Sequence, residues 1–130
     1  MCKIVESTQP ILEIKDASYI YEGETIPVWE HLSYTFKKGK IHAISGPSGC
    51  GKSSVLYFID GLIPHMYEGK LSGTLLFNGE DITERLPRYR CESIGFVMQN
   101  PESQFCTFTV EEELAFGMEN LGLEVEEMKI

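Results

Sequence analysis

The pattern of apolar and polar positions predicts two strands in the first part of the chain. Ile11 to Tyr21 alternates around Leu12 and Ile14 and is rich in β-formers, which is typical of a strand with one buried face. After a polar turn, Val28 to Phe36 begins irregularly and ends as a second strand. The KKGK sequence that follows predicts a tight turn in which Gly39 takes positive φ.

The middle of the chain combines short apolar runs with one helical period. Lys40 to Ser45 and Ser93 to Met98 are nearly uninterrupted apolar runs, the pattern of strands buried on both faces in a parallel sheet. A spacing of 3.6 residues predicts a helix that begins near Lys52 and ends before Pro64. Its apolar positions are Val55, Leu56, Phe58, Ile59, Leu62 and Ile63.

Local turn and cap signals complete the predicted elements. KLSGTLLFNGEDI predicts a strand followed by an Asn78-Gly79 turn, and Pro87 opens a short helical turn. Thr109 and Glu112 form a capping box that introduces a helix, with Val110, Leu114 and Met118 on one side. Antiparallel strands followed by strand, loop and helix predict an α/β fold with an attached antiparallel β-layer.

Composition and charge limit the classes of partner. The net charge of −9 argues against duplex nucleic acid, which needs a basic face, but a nucleotide needs only local positive potential. No apolar run approaches the ~18 residues of a membrane span, and the N-terminus lacks the pattern of a signal peptide. The cysteines lack C-x-x-C spacing, so we expect free thiols in a reducing cytoplasm. They are Cys2, Cys50, Cys91 and Cys106.

The stretch AISGPSGCGKSSVL carries the chemistry. Gly46, Gly51, Lys52 and Ser53 fit G-x-x-x-x-G-K-[ST], a phosphate-binding loop placed between a predicted strand and a predicted helix. The glycines let backbone N–H groups point at phosphate oxygens, and the helix start adds the positive end of its dipole. Lys52 supplies charge for the β- and γ-phosphates, and the Ser53 hydroxyl can ligate Mg²⁺. For Cys50 we favour a small side chain pointing away from the phosphates over a low-pKa catalytic thiol.

From Ile11 to about Leu123 the chain resembles ABC-type ATPases, particularly those of cobalt and energy-coupling-factor (ECF) transporters. Three separate stretches carry the resemblance: YIYEGETIPVWEHLSYTFKKGK, GPSGCGKSS with the DGL that follows, and IGFVMQNPESQFCTFTVEEELAFGMENLGL. The last is the most discriminating, because it is similar to the Q-loop and the start of the helical subdomain in ECF-type members.

The resemblance implies that residues 1–130 are the N-terminal part of a single ABC ATPase domain with a P-loop NTPase core. Its implied parts are a β-layer and core strands over 11–45, the P-loop and following helix over 46–63, strands over 71–98, the Q-loop over 99–108 and the start of the helical subdomain over 109–130.

The resemblance also assigns roles to residues. Tyr21 matches the A-loop aromatic that stacks on adenine, and its alternative is a strand tyrosine packed on the sheet. Gln99 matches the Q-loop glutamine that reaches Mg²⁺ and the attacking water, and its alternative is a loop amide bonded to backbone. The implied catalytic residues are Lys52 and Gln99, and the implied metal ligands are Ser53 and Gln99. The implied cofactors are ATP and Mg²⁺, and the implied nucleotide-binding residues are Tyr21, Gly46, Pro47, Ser48, Gly49, Cys50, Gly51, Lys52, Ser53 and Ser54.

The departures from the family pattern concern catalysis. The family places its signature motif, Walker B aspartate, catalytic glutamate and switch histidine after the Q-loop helix, and this sequence stops before any of them. Leu71-Ser72-Gly73 precedes the Q-loop in a predicted strand, so we do not interpret it as the signature. We therefore expect a fold truncated before the signature motif and Walker B, which binds ATP but hydrolyses it poorly.

The family's partners follow from the same resemblance. It implies a second ATPase subunit, identical or different, and a transmembrane transporter subunit on the cytoplasmic face of the cell membrane. The alternative hypothesis is a non-catalytic nucleotide-binding module or a degraded gene product. A small P-loop kinase or GTPase is disfavoured, because the sequence has no Walker B-like strand ending in aspartate and no Asn-Lys-x-Asp run.

Overall fold

A computed structural model of the chain describes residues 9–128. The chain forms two compact units, Met1–Cys91 and Glu92–Ile130, and each is described by itself. The first unit carries a β-sheet and the phosphate-loop sequence, and the second carries the Q-loop sequence and one longer helix.

The first unit is built on a four-stranded antiparallel sheet. Strands β1 (Pro10–Tyr21), β2 (Trp29–Lys37), β3 (Gly69–Phe77) and β4 (Glu80–Asp81) lie in the order β2-β1-β3-β4. The predicted β-layer is thus confirmed, as are the turn at Asn78-Gly79 and the positive φ of Gly39.

A bulge in β1 shifts by one residue which positions of the strand point into the core. Leu12 and Ile14 are buried, but the next buried positions are Ala17 and Tyr19, one residue out of step with strict alternation. The register with β2 and with β3 shifts within the same interval, where Asp16 takes φ 48°. An extra residue in one strand inverts the alternation beyond it, so both halves of β1 face the same core.

Helices cover one side of this core. Helix α1 (Lys52–Asp60) begins at the predicted residue, and Phe58 on its inner face lies 5.6 Å from the Trp29 ring. It ends at Asp60 because Gly61 adopts a left-handed conformation with φ 92°, and a short helix α2 (Leu62–His65) follows. Helix α3 (Pro87–Arg90) confirms the predicted turn at Pro87. Leu56, one of the apolar positions predicted for the helix that begins at Lys52, is exposed.

Two predicted strands are wrong. Residues 40–46 and 94–98 have no regular secondary structure, and Ile41 is fully exposed. A strand exists only where its backbone pairs with a neighbouring strand. Within residues 9–128 the sheet is the antiparallel one described above, and neither run pairs with it. The apolar pattern of a segment does not show whether a neighbouring strand is available to pair with it.

The second unit contains a short 3₁₀ helix (Pro101–Gln104) and helix α4 (Val110–Asn120). The predicted capping box is confirmed: the Glu112 amide donates to Thr109 Oγ1 at 3.2 Å, and the Thr109 amide donates to Glu112 Oε2 at 3.2 Å. The predicted apolar side of α4 is not buried in the described residues. Val110 and Leu114 are exposed there.

Candidate functional site

The phosphate-loop sequence forms an exposed loop that leads directly into α1. Residues 46–50 are exposed, and Gly51 is the N-cap of α1 with φ 91°. A Cβ at Gly51 would lie 2.7 Å from Val28 Cγ1 and 3.3 Å from the Trp29 ring. Both its backbone conformation and its close approach to the start of β2 therefore require glycine at this position.

The N-terminus of α1 presents open backbone donors. The first helical hydrogen bond runs from the Val55 amide to the Gly51 carbonyl at 3.1 Å, so the amides of residues 52–54 are outside the helical ladder. Within the described residues no side chain caps this end, and its first turn contains no acidic residue. An uncapped helix start with a positive dipole end is suited to bind an anion.

Lys52 places a cation inside the same loop. Its Nζ donates to the carbonyls of Gly46 at 2.9 Å and Pro47 at 2.6 Å, and it lies 3.7 Å from Cys50 Sγ. These contacts tie the ammonium group to the backbone of the loop. Ser53, the predicted magnesium ligand, is exposed beside it.

The prediction that the cysteines are free thiols is confirmed for the described residues. Cys50, Cys91 and Cys106 are free and exposed, and Cys2 lies outside the described residues. The Cys50 sulfur lies against the start of its own loop, because a Cβ at Gly46 would be 2.8 Å from it.

Tyr21 at the end of β1 reaches the P-loop helix. Its Oη lies 2.9 Å from the Oγ of Ser54, a buried residue in the first turn of α1. Its ring meets Tyr19 edge-on at 4.9 Å, so part of the alternative interpretation, packing on the sheet, is also observed. Sequence reasoning missed the bond to Ser54, because no local pattern links residues 33 apart.

A cavity of about 540 Å³ borders Tyr21 and is lined by residues 20–25 and 68–70. Its rim carries three carboxyl groups, Glu22, Glu24 and Glu68, together with Lys70. A hydrogen bond with Glu68, together with the charge of that neighbour, raises the pKa of the Glu22 carboxyl.

Gln99 lies in the second unit, exposed, between the irregular residues 94–98 and the 3₁₀ helix. The adjacent backbone is braced by Gln104, whose Oε1 accepts the Met98 amide at 2.8 Å and whose Nε2 donates to the Phe96 carbonyl at 3.3 Å. Sequence reasoning did not single out Gln104.

Glu113 ties helix α4 to the end of the Q-loop segment. Its Oε2 accepts the Thr107 hydroxyl at 2.8 Å and the amides of Cys106 and Thr107, each at 3.0 Å. The hydroxyl bond, followed by the two amide bonds, holds the pKa of the Glu113 carboxyl below its usual value.

Arg90 is a buried guanidinium that the sequence did not identify. All its N–H-bearing atoms donate to backbone carbonyls at distances between 2.6 and 2.9 Å. The acceptors are Phe58, Ile59, Ile82, Thr83 and Arg85. Two of them belong to the last turn of α1, so Arg90 fixes the end of that helix opposite the phosphate loop. Burial lowers the pKa of Arg90 and raises that of Asp60, and each charge partly offsets the effect on the other.

His42 links the segment after β2 to that strand. Its Nε2 accepts the Lys37 amide at 3.1 Å, and its Nδ1 lies 2.9 Å from the Tyr34 hydroxyl. Both ring nitrogens therefore hold the segment after β2 to that strand through hydrogen bonds.

Among residues 9–128, no group of three or more histidine, cysteine or acidic side chains is arranged to hold a metal ion. None of the helices described over that range is long and apolar enough to cross a membrane.

Comparison with known proteins gives consistent matches. Residues 29–129 match the sequence model of the ABC transporter family. A putative ABC transporter ATP-binding protein of Methanosarcina acetivorans is 37% identical over 125 residues, which cover 96% of this chain and 20% of that protein. The putative HMP/thiamine import ATP-binding protein YkoD of Bacillus subtilis is 36% identical, with 95% of this chain and 23% of that protein covered.

A solved structure extends the likeness to the fold. The structure of cbiO1 from Clostridium perfringens, described as part of the ABC transporter complex cbiONQ, has a TM-score of 0.74 and 28% identity. The match covers 92% of this chain and 46% of cbiO1. The predicted fold class, an ABC ATPase fold with an antiparallel β-layer, is confirmed by this likeness. The chain spans about a fifth of the two curated relatives and less than half of cbiO1.

Proposed function

This chain belongs to the family of ABC transporter ATP-binding proteins, and from that premise we propose that residues 46–54 bind MgATP for a membrane transporter. The observation that carries the proposal is the Lys52 ammonium held over the loop by the Gly46 and Pro47 carbonyls, beside an uncapped helix start. A triphosphate entering this loop exchanges those carbonyl contacts for contacts with its own oxygens. It also meets the open amides of the first turn of α1.

The residues present fit a magnesium-bound nucleotide. Ser53 offers an exposed hydroxyl beside the lysine, and the described residues bring no cluster of carboxylates to this region. Mg²⁺ takes few protein oxygens and is held chiefly by phosphate oxygens and water, so the Ser53 hydroxyl suits it as a ligand. When bound, the metal would neutralise charge on the β- and γ-phosphates. Lys52 would add its own positive charge to the same oxygens.

The proposed transporter is of the cobalt or energy-coupling-factor type. One comparison supports that class: cbiO1, described as part of the ABC transporter complex cbiONQ. The proposal includes a second ATPase subunit, a transmembrane partner and a position on the cytoplasmic face of the membrane. Gln99 is proposed as the residue that reaches the metal and the attacking water.

Hydrolysis by this chain alone is expected to be slow. Phosphate binding, charge neutralisation and positioning can come from residues 46–54. We propose that residues 1–130 hold neither the signature motif nor the catalytic glutamate that the family uses to complete the site. We therefore expect ATP binding with little turnover.

The test compares ATP affinity for the wild-type chain and Lys52→Ala. We expect Lys52→Ala to weaken MgATP binding at least about tenfold, because it removes one charge-assisted contact to the phosphates. Lys38→Ala is the matched control, an exposed lysine in the turn after β2, and it should leave the affinity unchanged. Equal ATP affinity in wild type and Lys52→Ala would contradict the assignment of the loop. Rapid turnover that Lys52→Ala abolishes would contradict the expected slow hydrolysis.

A further inference from the structure

We propose that Gln104 is a positioning residue for Gln99: it fixes the backbone that carries Gln99, so that the Gln99 carboxamide is preorganised for the metal of a bound nucleotide. The inference rests on the proposed function, in which Gln99 reaches the metal. It adds a second glutamine that acts on the first through the backbone, without touching the nucleotide.

Gln104 supplies hydrogen bonds to the backbone that leads into Gln99. Residues 94–98 have no regular secondary structure, so no helix or strand within residues 9–128 fixes their backbone. Gln104 Oε1 accepts the Met98 amide at 2.8 Å, and Gln104 Nε2 donates to the Phe96 carbonyl at 3.3 Å. One carboxamide thus pairs with a backbone donor and a backbone acceptor, as the edge of a neighbouring strand would. Met98 directly precedes Gln99, so this pairing fixes the chain where Gln99 begins.

The 3₁₀ helix that carries Gln104 also holds the backbone after Gln99. The amide and the hydroxyl of Ser103 donate to the Asn100 carbonyl at 3.2 and 2.7 Å. Pro101 further restricts Asn100, because the residue before a proline is confined to extended conformations. Gln99 therefore lies between one residue held by Gln104 and one residue held by Ser103.

Exposure separates the two glutamines. Gln104 is half-buried, whereas the other three residues of the 3₁₀ helix are exposed, and so is Gln99. The Gln104 carboxamide is used within the protein, while the Gln99 side chain stands at the surface, where a ligand can meet it. Sequence position alone does not separate them, because both lie in the stretch QNPESQF.

Preorganisation gives Gln104 its effect on affinity. A residue whose backbone is already fixed loses less freedom when its side chain engages a ligand. The difference for one residue corresponds to about two- to tenfold in a binding equilibrium. Gln104→Met keeps the length of the side chain and removes both hydrogen bonds, so it should weaken MgATP by about two- to tenfold. Without the metal Gln99 has no ligand to reach, and the affinity for ATP in EDTA should be unchanged.

The experiment is a double-mutant cycle on the full chain, with ATP titrated once in Mg²⁺ and once in EDTA. The cycle consists of wild type, Gln104→Met, Gln99→Ala and the double variant. We expect Gln104→Met to lower the affinity only in Mg²⁺, and to have no further effect once Gln99 is alanine. A role limited to stabilising the fold would persist in the Gln99→Ala background.

Three companion variants sharpen the cycle. Gln104→Glu keeps an acceptor for the Met98 amide but loses the donor to Phe96, so its MgATP affinity should lie between those of wild type and Gln104→Met. Glu102→Gln, at an exposed position of the same 3₁₀ helix, is the matched control and should bind MgATP like wild type. Lys52→Ala should weaken ATP in Mg²⁺ and in EDTA alike, because its charge acts on the phosphates directly.

Amide exchange without nucleotide tests the brace itself. The Met98 amide should exchange faster in Gln104→Met than in wild type, because its acceptor is removed. The amides of β1 should exchange at the same rate in both, which shows that the variant is folded. An unchanged rate for Met98 would overturn the proposal without any measurement of ATP.

Each other outcome has a definite meaning. Equal weakening of ATP in Mg²⁺ and in EDTA by Gln104→Met would overturn the proposal, and so would an equal loss in the Gln99→Ala background. If Gln99→Ala leaves the MgATP affinity unchanged while Lys52→Ala weakens it, the metal role of both glutamines is overturned and the assignment of the phosphate loop stands. Failure of the wild-type chain to bind ATP, or equal binding by Lys52→Ala, contradicts the proposed function itself, and the inference falls with it.

Discussion

Arg90→Met tests whether one buried arginine holds the P-loop helix in place. Methionine replaces the apolar stem of the side chain but removes the whole guanidinium and its bonds to backbone carbonyls. The carbonyls of Phe58 and Ile82 also accept from the amides of Gly61 and Arg85, at 3.3 and 3.0 Å. Among the described residues, Arg90→Met therefore leaves mainly the carbonyls of Ile59, Thr83 and Arg85 without a hydrogen-bond donor.

The expected magnitude follows from those three carbonyls. A buried acceptor that loses its partner costs about 1–3 kcal/mol. The total is reduced because the variant no longer buries a charged group, whose desolvation is itself unfavourable. We expect the free energy of unfolding to fall by about 3–5 kcal/mol. With a denaturant slope of about 2 kcal/mol per molar, the urea midpoint should fall by about 1.5–2.5 M.

The assay is urea unfolding followed by the fluorescence of Trp29, the single tryptophan, which packs against Phe58 of α1. Arg90→Lys should be intermediate, because an ammonium has three donors and cannot reach all the carbonyls of a planar guanidinium. Arg88→Met is the control on the same helix. Arg88 is exposed, so its loss should change stability by less than about 0.5 kcal/mol. A midpoint for Arg90→Met within experimental error of wild type would refute the reasoning.

Two further predictions concern the loop and α4. Gly51→Ala should lower both stability and ATP affinity, because its Cβ would meet Val28 Cγ1 at 2.7 Å in a left-handed conformation; Gly95→Ala, where a Cβ meets nothing within 4 Å, is the control for thermal unfolding and ATP titration. Glu113 has a lowered folded pKa, so its contribution to stability is present above its unfolded pKa and is lost as pH falls through its folded pKa. Glu113→Gln should remove that acid-dependent step in a pH series of unfolding curves. An identical pH profile in the variant would count against the contacts with Thr107.

The parts of the fold that the sequence predicted correctly are those encoded locally. Alternation around Leu12 and Ile14, the Asn78-Gly79 turn and the Thr109-Glu112 capping box each depend on a few adjacent residues. Helix α1 begins at Lys52 as predicted, because the glycine that precedes it is part of the motif. Local geometry of this kind needs no knowledge of the rest of the chain.

What the sequence could not predict depends on distant neighbours. The apolar runs at 40–45 and 93–98 were typical of buried strands, yet burial needs a partner strand that residues 9–128 do not place beside them. Nothing in the local sequence marks Arg90 as buried, because only the tertiary fold brings the carbonyls of α1 to it. The contact between Tyr21 and Ser54 likewise joins residues far apart in the chain. The sequence motif therefore located the candidate phosphate loop, whereas the hydrogen bond between Tyr21 and Ser54 required the tertiary fold.

Backbone amide exchange in the presence of MgATP tests the central claim most directly. If residues 46–54 cradle the phosphates, the open amides of Lys52, Ser53 and Ser54 will exchange more slowly when MgATP is added, whereas the strand amides of β2 will be unchanged. Lys52→Ala should reduce this protection at the same ATP concentration. Protection by MgATP elsewhere in the chain, with the amides of 46–54 unaffected, would contradict the account.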